Sequence, residues 1–303
     1  MRVRNVFQQC ILCKKEPATS LEHMIPECIG GKLAVSILCT KCNSYLGSTL
    51  INGIRQDPSI RLAVRNLRGE IPELFERVEN GQEYYGRDSQ GRLVKCTYKD
   101  STFRVKARKD TDGSIWLDTC KGISDIRKIL KKDGLTEKQI DEEIRSFVAQ
   151  ENDVEMHLSN STKVIKRPVC DLFPSLQSSF LDDRFAVLLA YEYLSLILGN
   201  SIFDGSLDFV RAFIMEGKTS ENIIIERLHG HHYGSWHKLY PEFLDEEAVI
   251  NIRLFEWLCF KVHLKKVSIK GQERVYIEDL KNKKTLFADS LEEAKKNIYY
   301  TIY

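Results

Sequence analysis

Two pairs of closely spaced cysteines constrain the N-terminal part of this chain more than any other feature. Cys10 and Cys13 form the first pair, Cys39 and Cys42 form the second, and two residues separate the members of each pair. This spacing lets both sulfurs of a pair reach one tetrahedral ion, and the two pairs together complete a four-cysteine structural site. Such a site is coordinatively saturated, so its Zn²⁺ would hold the fold and leave chemistry to other residues. Four unrelated buried thiols are the alternative, which the neighbouring Lys and Thr residues disfavour.

A short motif lies between the two pairs and continues just beyond them. Glu22-His23 is followed by Ile25-Pro26 and then by Gly30-Gly31, and Asn43 comes directly after Cys42. Within a frame of two CxxC pairs, this pattern resembles the HNH endonuclease family. The resemblance covers only the N-terminal part of the chain.

The resemblance implies a metal-dependent nuclease. By analogy with the family, His23 would be the general base, and Glu22 and Asn43 would give oxygen ligands to a catalytic Mg²⁺ or Mn²⁺. Imidazole, with an ordinary pKa of about 6.5, suits a general base at cellular pH. The implied fold is a small zinc-bound ββα-metal (treble-clef-like) module with the base on a strand and Asn43 on the following helix. Its product would carry a 5′ phosphate and a 3′ hydroxyl.

The sequence departs from the family pattern at two positions. Many members have an asparagine shortly before the second CxxC, where residues 34–38 of this chain offer only Ser36 as a polar side chain. Asn43 stands where many members have a histidine, and this weaker neutral ligand predicts loose binding of the metal. Gly30-Gly31 is interpreted as an ordinary turn.

The leading functional hypothesis is a DNA endonuclease of a phage-defence or restriction system. Two alternatives remain open. One is a non-catalytic zinc-stabilised module that binds nucleic acid or a protein partner. The other is an RNase, because nothing in the motif reports on the 2′-hydroxyl.

The charge distribution supports a nucleic-acid substrate. The net charge is only +2, but residues 1–68 contain ten Lys and Arg against four Asp and Glu, so this part carries +6 and the remainder −4. A positive surface favours binding to phosphates. Lys32, Lys41, Arg55 and Arg61 are the candidate phosphate contacts, although a solvated helix face explains the arginines equally well.

The expected environment is the cytoplasm, without membrane association. The nine cysteines are unevenly spaced, as expected for metal ligands in a reducing compartment. The sequence has neither a run of 18 apolar residues nor the features of a secretory signal.

The chain is predicted to have two domains of α+β class. Residues 1–68 would form the nuclease module, and residues 69–303 a larger α+β domain with antiparallel strands for targeting, regulation or binding of a protein partner. Within this second part, the patterns predict an antiparallel meander over residues 82–118, a strongly apolar helix over 180–198, and a long strand or strand pair over 248–267.

Overall fold

The structure is a computed structural model in which the chain forms two compact units. It describes residues 2–3, 7–88, 93–99, 102–105, 108–109, 112–117, 123–148, 155–157, 163–166, 169–174 and 181–294. Unit 1 consists of residues 1–78 and 177–303, and unit 2 consists of residues 79–176. The described elements are α-helices and mainly antiparallel sheets, so the predicted α+β class is confirmed.

The first segment of unit 1 contains a small sheet followed by helices. Its described elements are β1 (Arg2–Val3), β2 (Ser20–His23), β3 (Ala34–Leu38), α1 (Thr40–Leu46), α2 (Pro58–Asn66) and α3 (Pro72–Glu79). The central strand β3 pairs antiparallel with β2 and parallel with β1. Asp57 caps α2 by accepting a hydrogen bond from the Ser59 amide at 2.8 Å. The order β2, β3, α1 is the predicted ββα arrangement.

Unit 2 contains two four-stranded sheets and two helices in its described part. Its elements are β4 (Glu83–Asp88), β5 (Leu93–Lys99), β6 (Thr102–Val105), β7 (Arg108–Lys109), β8 (Ile115–Leu117), α4 (Ile123–Lys132), α5 (Glu137–Val148), β9 (Glu155–His157), β10 (Lys163–Lys166) and β11 (Val169–Pro174). The strand orders are β11-β4-β5-β6 and β7-β8-β10-β9. Strands β4 to β6 form the predicted antiparallel meander, whereas β8 pairs parallel with β10 in the other sheet.

The second segment of unit 1 contains two helices and a six-stranded antiparallel sheet. The described elements are α6 (Asp183–Leu198), α7 (Asp208–Glu216), β12 (Ile223–His229), β13 (Trp236–Leu244), β14 (Glu247–Leu254), β15 (Leu258–Lys265), β16 (Val275–Asp279) and β17 (Lys284–Ala288). They are ordered β12-β15-β14-β13-β16-β17 in the sheet. The segment predicted as a strand or strand pair is the hairpin of β14 and β15, whose turn places Phe255 and Glu256 at positive φ.

Helix α6 is the apolar centre of unit 1. Together with the short 3₁₀ turn that follows it, α6 forms a segment, Asp183–Phe203, that is long and apolar enough to cross a membrane. However, 72% of an apolar 18-residue stretch within this segment is buried inside the protein. The central helix of a packed core has the same composition and burial. Here α6 packs on strands of the six-stranded sheet and on residues that follow α1.

One hydrophobic core joins the two segments of unit 1. Its buried residues run from Phe7 to Val78 and continue from Leu181 to Leu280. The two compact units therefore do not coincide with the boundary at residue 68 predicted from the sequence. The physical reason is that residues 7–78 share one hydrophobic core with α6 and the six-stranded sheet, whereas residues 79–176, which lie between these segments in the sequence, form a compact unit of their own.

Candidate active site

The first cysteine pair lies in a tight loop that is hydrogen-bonded to β3 and to α6. Cys10 donates its backbone N–H to Glu16 O at 2.8 Å, and the Ile11 amide donates to Ile37 O of β3 at 3.0 Å. The hydroxyl of Tyr191 in α6 donates to Ile11 O at 3.0 Å. The loop is therefore fixed on both sides, and its cysteines face the start of α1.

The second pair is built into the N-terminus of α1. Cys39 is the N-cap residue, and its Sγ accepts a hydrogen bond from the Cys42 amide at 3.4 Å. The sulfur atoms of all four cysteines lie within 4.8 Å of one another, and Sγ of Cys13 is 3.9 Å from Sγ of Cys39. Sulfurs at about 2.3 Å from a tetrahedral zinc ion are about 3.8 Å apart, so this cluster could bind zinc.

The electrostatics of the cluster also favour a cation at its centre. Burial raises the pKa of Cys42, and the neighbouring thiols raise it further. Burial likewise raises the pKa of Cys10, whereas at Cys13 the effect of burial is outweighed by hydrogen bonds from the backbone of Glu16 and Lys15, and the pKa falls to about 7. Four clustered thiolates would repel one another. A bound divalent cation offsets this repulsion, because its positive charge attracts all four sulfurs and lowers the pKa of the thiols that bind it.

The β2–β3 connection shows why two glycines follow Pro26. Gly31 lies so close to the backbone just after β2 that a Cβ atom there would be 1.7 Å from Ile25 O. Gly30 has φ of +107°, and a Cβ atom there would be 2.6 Å from a methyl carbon of Leu280. Both glycines are buried, so they make a turn that packs against the sheet, in agreement with the sequence interpretation.

Asn43 joins the helix to the strand that carries Glu22 and His23. Its Nδ2 donates to Ser20 Oγ at 2.7 Å and to Leu21 O at 3.1 Å. Because a carbonyl oxygen only accepts, the amide nitrogen must face β2, and Oδ1 is left on the other side of the amide as a ligand atom. The two ends of the motif, 21 positions apart in the sequence, therefore meet through direct hydrogen bonds.

The carboxyl group of Glu192 in α6 is close enough to Glu22 for their charges to interact. Burial raises the pKa of Glu22 to about 7. Burial raises the pKa of Glu192 well above its ordinary range, and the charge of Glu22 raises it further. Glu192 is only 1% exposed, and its Oε1 accepts no hydrogen bond from the described residues. Sequence reasoning missed this residue, although it is the only charged side chain within residues 185–198.

A buried histidine fixes the loop between β2 and β3. His237 of β13 accepts a hydrogen bond from the Phe255 amide at Nδ1, at 3.1 Å. Its Nε2 is 3.0 Å from Ile29 O, and because that oxygen only accepts, Nε2 carries the proton and donates. Burial lowers the pKa of His237 to about 4. The neutral ring therefore links the six-stranded sheet to the turn beside the motif.

We expect His237 to make unit 1 less stable as the pH falls. The unfolded chain binds the proton with a pKa of about 6.5 and the folded chain with one of about 4. The unfolded state therefore takes up more protons as the pH falls through this window, and the folded state loses stability. Between pH 7.5 and 5.5 this contribution amounts to about 1 kcal/mol.

Urea unfolding at both pH values checks this expectation. His237→Gln keeps a donor and an acceptor but does not titrate, so the loss of stability on acidification should be about 1 kcal/mol smaller than in the wild type. The comparison cancels the contributions of the other titrating groups. Equal losses in the two proteins would contradict this role of His237.

Three of the four candidate phosphate contacts have side chains that are exposed or half-buried. Lys32 and Lys41 are exposed, and Arg55 is half-buried. Lys41 lines a groove of about 740 Å³ together with Lys14 and Lys15. Arg61 is only 3% exposed because it lies on the buried side of α2. Its prediction as a phosphate contact is therefore corrected, since a buried guanidinium does not reach a nucleic acid.

Among the described residues, the four cysteines are the only group of three or more His, Cys, Asp or Glu side chains close enough together to share a metal ion. His229 packs against Trp257 with ring centroids 5.1 Å apart, and His237 is buried in the sheet.

Comparison with known proteins agrees with the geometry of the N-terminal segment. Residues 10–58 match the model of the HNH endonuclease family, which confirms the resemblance inferred from the motif. The matched range contains all four cysteines, together with Glu22, His23 and Asn43. No curated protein and no solved structure gives a significant match to the chain. The family match suggests nuclease activity and a nucleic-acid substrate for the N-terminal segment.

Proposed function

We propose that this protein is a metal-dependent endonuclease that hydrolyses phosphodiester bonds of DNA. The observation that carries the proposal is the pair of hydrogen bonds from the Asn43 amide to β2, because they hold the last residue of the motif against the strand bearing Glu22 and His23. The match of residues 10–58 to the HNH endonuclease family supports the same activity.

The residues of this segment have separate tasks in the proposed reaction. Cys10, Cys13, Cys39 and Cys42 hold a structural Zn²⁺, which fixes the turn and the helix on either side of β2 and β3. Glu22 and Asn43 hold Mg²⁺ or Mn²⁺ through oxygen atoms. When bound, this cation supplies positive charge at the scissile phosphate and at the departing 3′ oxygen. His23 takes the proton of the attacking water on an imidazole nitrogen.

Residues 79–176 are proposed to control where or when cleavage occurs. They form a compact unit of their own, whereas residues 177–303 share the core of the nuclease segment. Targeting, regulation or binding of a protein partner, first assigned to residues 69–303, is therefore assigned to unit 2. The proposed setting of phage defence or restriction rests on the family resemblance alone.

Cleavage of plasmid by the full-length, zinc-loaded protein tests the proposed activity. We expect supercoiled DNA to be nicked or linearised with Mg²⁺ or Mn²⁺ and left intact with EDTA. DNA ligase should reseal the nicks, because the products carry a 5′ phosphate and a 3′ hydroxyl. Single-stranded RNA under the same conditions distinguishes a DNase from an RNase.

One result would favour the non-catalytic alternative. If the protein retards DNA in a gel but leaves DNA and RNA intact at every concentration of Mg²⁺ and Mn²⁺, the segment is a zinc-stabilised binding module and the proposed activity is wrong. Cleavage of RNA alone would keep the enzyme and change its substrate.

A further inference from the structure

The carboxyl group of Glu192 is buried in a helix segment whose other side chains are uncharged. The thirteen other residues from 185 to 198 are uncharged, and nearly all of them are buried. A carboxyl group in such a helix needs a partner, because removing it from water costs free energy that only hydrogen bonds or an opposite charge restore. In the described part of the chain, no basic side chain acts on Glu192, and the one charge that does is the like charge of Glu22.

The position of α6 in unit 1 explains how Glu192 reaches this place. The neighbouring Tyr191 donates its hydroxyl to Ile11 O, inside the loop of the first cysteine pair, and accepts a hydrogen bond from Arg211 at 2.6 Å. The Ser195 hydroxyl donates to the backbone oxygen of Glu192 at 2.6 Å. These contacts fix this turn of α6 against the metal-binding segment, and the carboxyl group of Glu192 lies close enough to that of Glu22 for their charges to interact.

A divalent cation would resolve the two anomalies of this arrangement together. It would supply the opposite charge that the buried carboxyl group of Glu192 lacks, and it would give the unpartnered Oε1 a ligand bond. It would also compensate for the weak neutral ligand Asn43, because a second carboxylate adds a charged oxygen of the type that Mg²⁺ and Mn²⁺ prefer.

We propose that Glu192 of α6 is a third protein ligand of the divalent cation held by Glu22 and Asn43. The inference rests on the proposed function in one respect, since it takes Glu22 and Asn43 as metal ligands. It extends the site beyond the matched residues 10–58 to a helix of the second segment of unit 1.

Binding of Mn²⁺ to the full-length, zinc-loaded protein tests the inference without any cleavage. Free Mn²⁺ is measured by electron paramagnetic resonance during a titration. Glu192→Gln should weaken the binding at least about tenfold, as loss of a functional group at a metal site does. Glu22→Gln should weaken it similarly. Glutamine has nearly the shape of a neutral glutamic acid, so both variants should keep the zinc content and the Tm that the wild type has without Mn²⁺.

The matched control is Glu278→Gln. Glu278 is another buried carboxyl group of unit 1, and its oxygens accept hydrogen bonds from the hydroxyls of Tyr276 and Thr285. This variant should bind Mn²⁺ as tightly as the wild type. If Glu192→Gln does not fold, Glu192→Asp, which moves the carboxylate back by one methylene, should show weakened binding in its place.

Two results would overturn the inference. One is unchanged Mn²⁺ affinity in folded Glu192 variants, and the other is a wild type that binds no Mn²⁺. Failure of the proposed function looks different, because a protein that binds Mn²⁺ through Glu192 and yet cuts no nucleic acid would keep the metal site and lose the nuclease. Conversely, if the protein cuts nucleic acid with Mg²⁺ but its Mn²⁺ affinity does not depend on Glu192, the proposed nuclease activity stands and the ligand role of Glu192 is wrong.

Discussion

Replacement of His23 by alanine is expected to lower the rate of DNA cleavage by about 10²–10⁴-fold, the usual loss when a general base is removed. His23 is the last residue of β2 and pairs with Ala34 of β3, so its position is set by the same hairpin that carries Glu22. The strand is half-buried, and shortening the side chain there should leave the sheet intact. The rate is measured from the conversion of supercoiled to nicked plasmid at saturating Mg²⁺.

The controls for His23→Ala separate loss of a base from loss of fold or metal. The variant should keep one zinc ion per chain and the Tm of the wild type. It should also keep the Mn²⁺ affinity, because His23 has no place among the proposed ligands. His231→Ala, which removes an exposed histidine of the same unit, should cleave at the wild-type rate. Wild-type activity in His23→Ala would show that another group acts as the base.

The second large effect concerns the cysteine cluster. Cys42→Ser should prevent tight binding of zinc and unfold the segment around residues 10–46, because the binding free energy of a structural zinc ion is folding free energy. In zinc-finger peptides that energy is about 10–16 kcal/mol, which exceeds the stability of many whole domains. Hydrogen exchange should therefore show loss of protection in β2, β3 and α1, and cleavage should be abolished.

Cys259→Ser is the matched control for this experiment. Cys259 is half-buried in β15, outside the cluster, and its thiol makes only weak contacts with the backbone oxygens of Glu256 and Trp257. Its replacement should leave the zinc content and the exchange pattern unchanged. A wild-type protein that is freed of zinc and yet keeps full protection in residues 10–46 would disprove the structural role of the metal.

Local signals in the sequence predicted the elements that depend on local interactions. The spacing of the cysteines predicted a cluster whose sulfurs lie within 4.8 Å, and the apolar run over 180–198 predicted α6, which the structure bounds at Asp183–Leu198. The spacing Thr136-x-x-Gln139 is a further local signal typical of a capping box, and these two residues exchange hydrogen bonds at the start of α5. The residues that decide α6 and the capping box are close together in the chain, and the cysteine signal lies in the two-residue spacing within each pair.

Features that depend on distant segments were not accessible in the same way. A single glutamate in an apolar helix gives no indication of what it faces, and the role proposed for Glu192 depends on packing of α6 that brings its charge within reach of Glu22. His237 acts on a loop more than two hundred positions away in the sequence, at Ile29. Arg55 and Arg61 looked equivalent as candidate phosphate contacts, but packing of α2 buries Arg61, whereas Arg55 is only half-buried.

The shared core of residues 7–78 and 181–280 has a consequence for synthesis of the protein. A ribosome releases the motif first, then all of unit 2, and only afterwards the helix and sheet on which the motif packs. During most of translation the nascent motif therefore lacks its supporting helix, including Glu192 and the hydroxyl group that Tyr191 donates to Ile11. In an unfinished chain the proposed site would therefore not be assembled, and it would form only after unit 2 has been made.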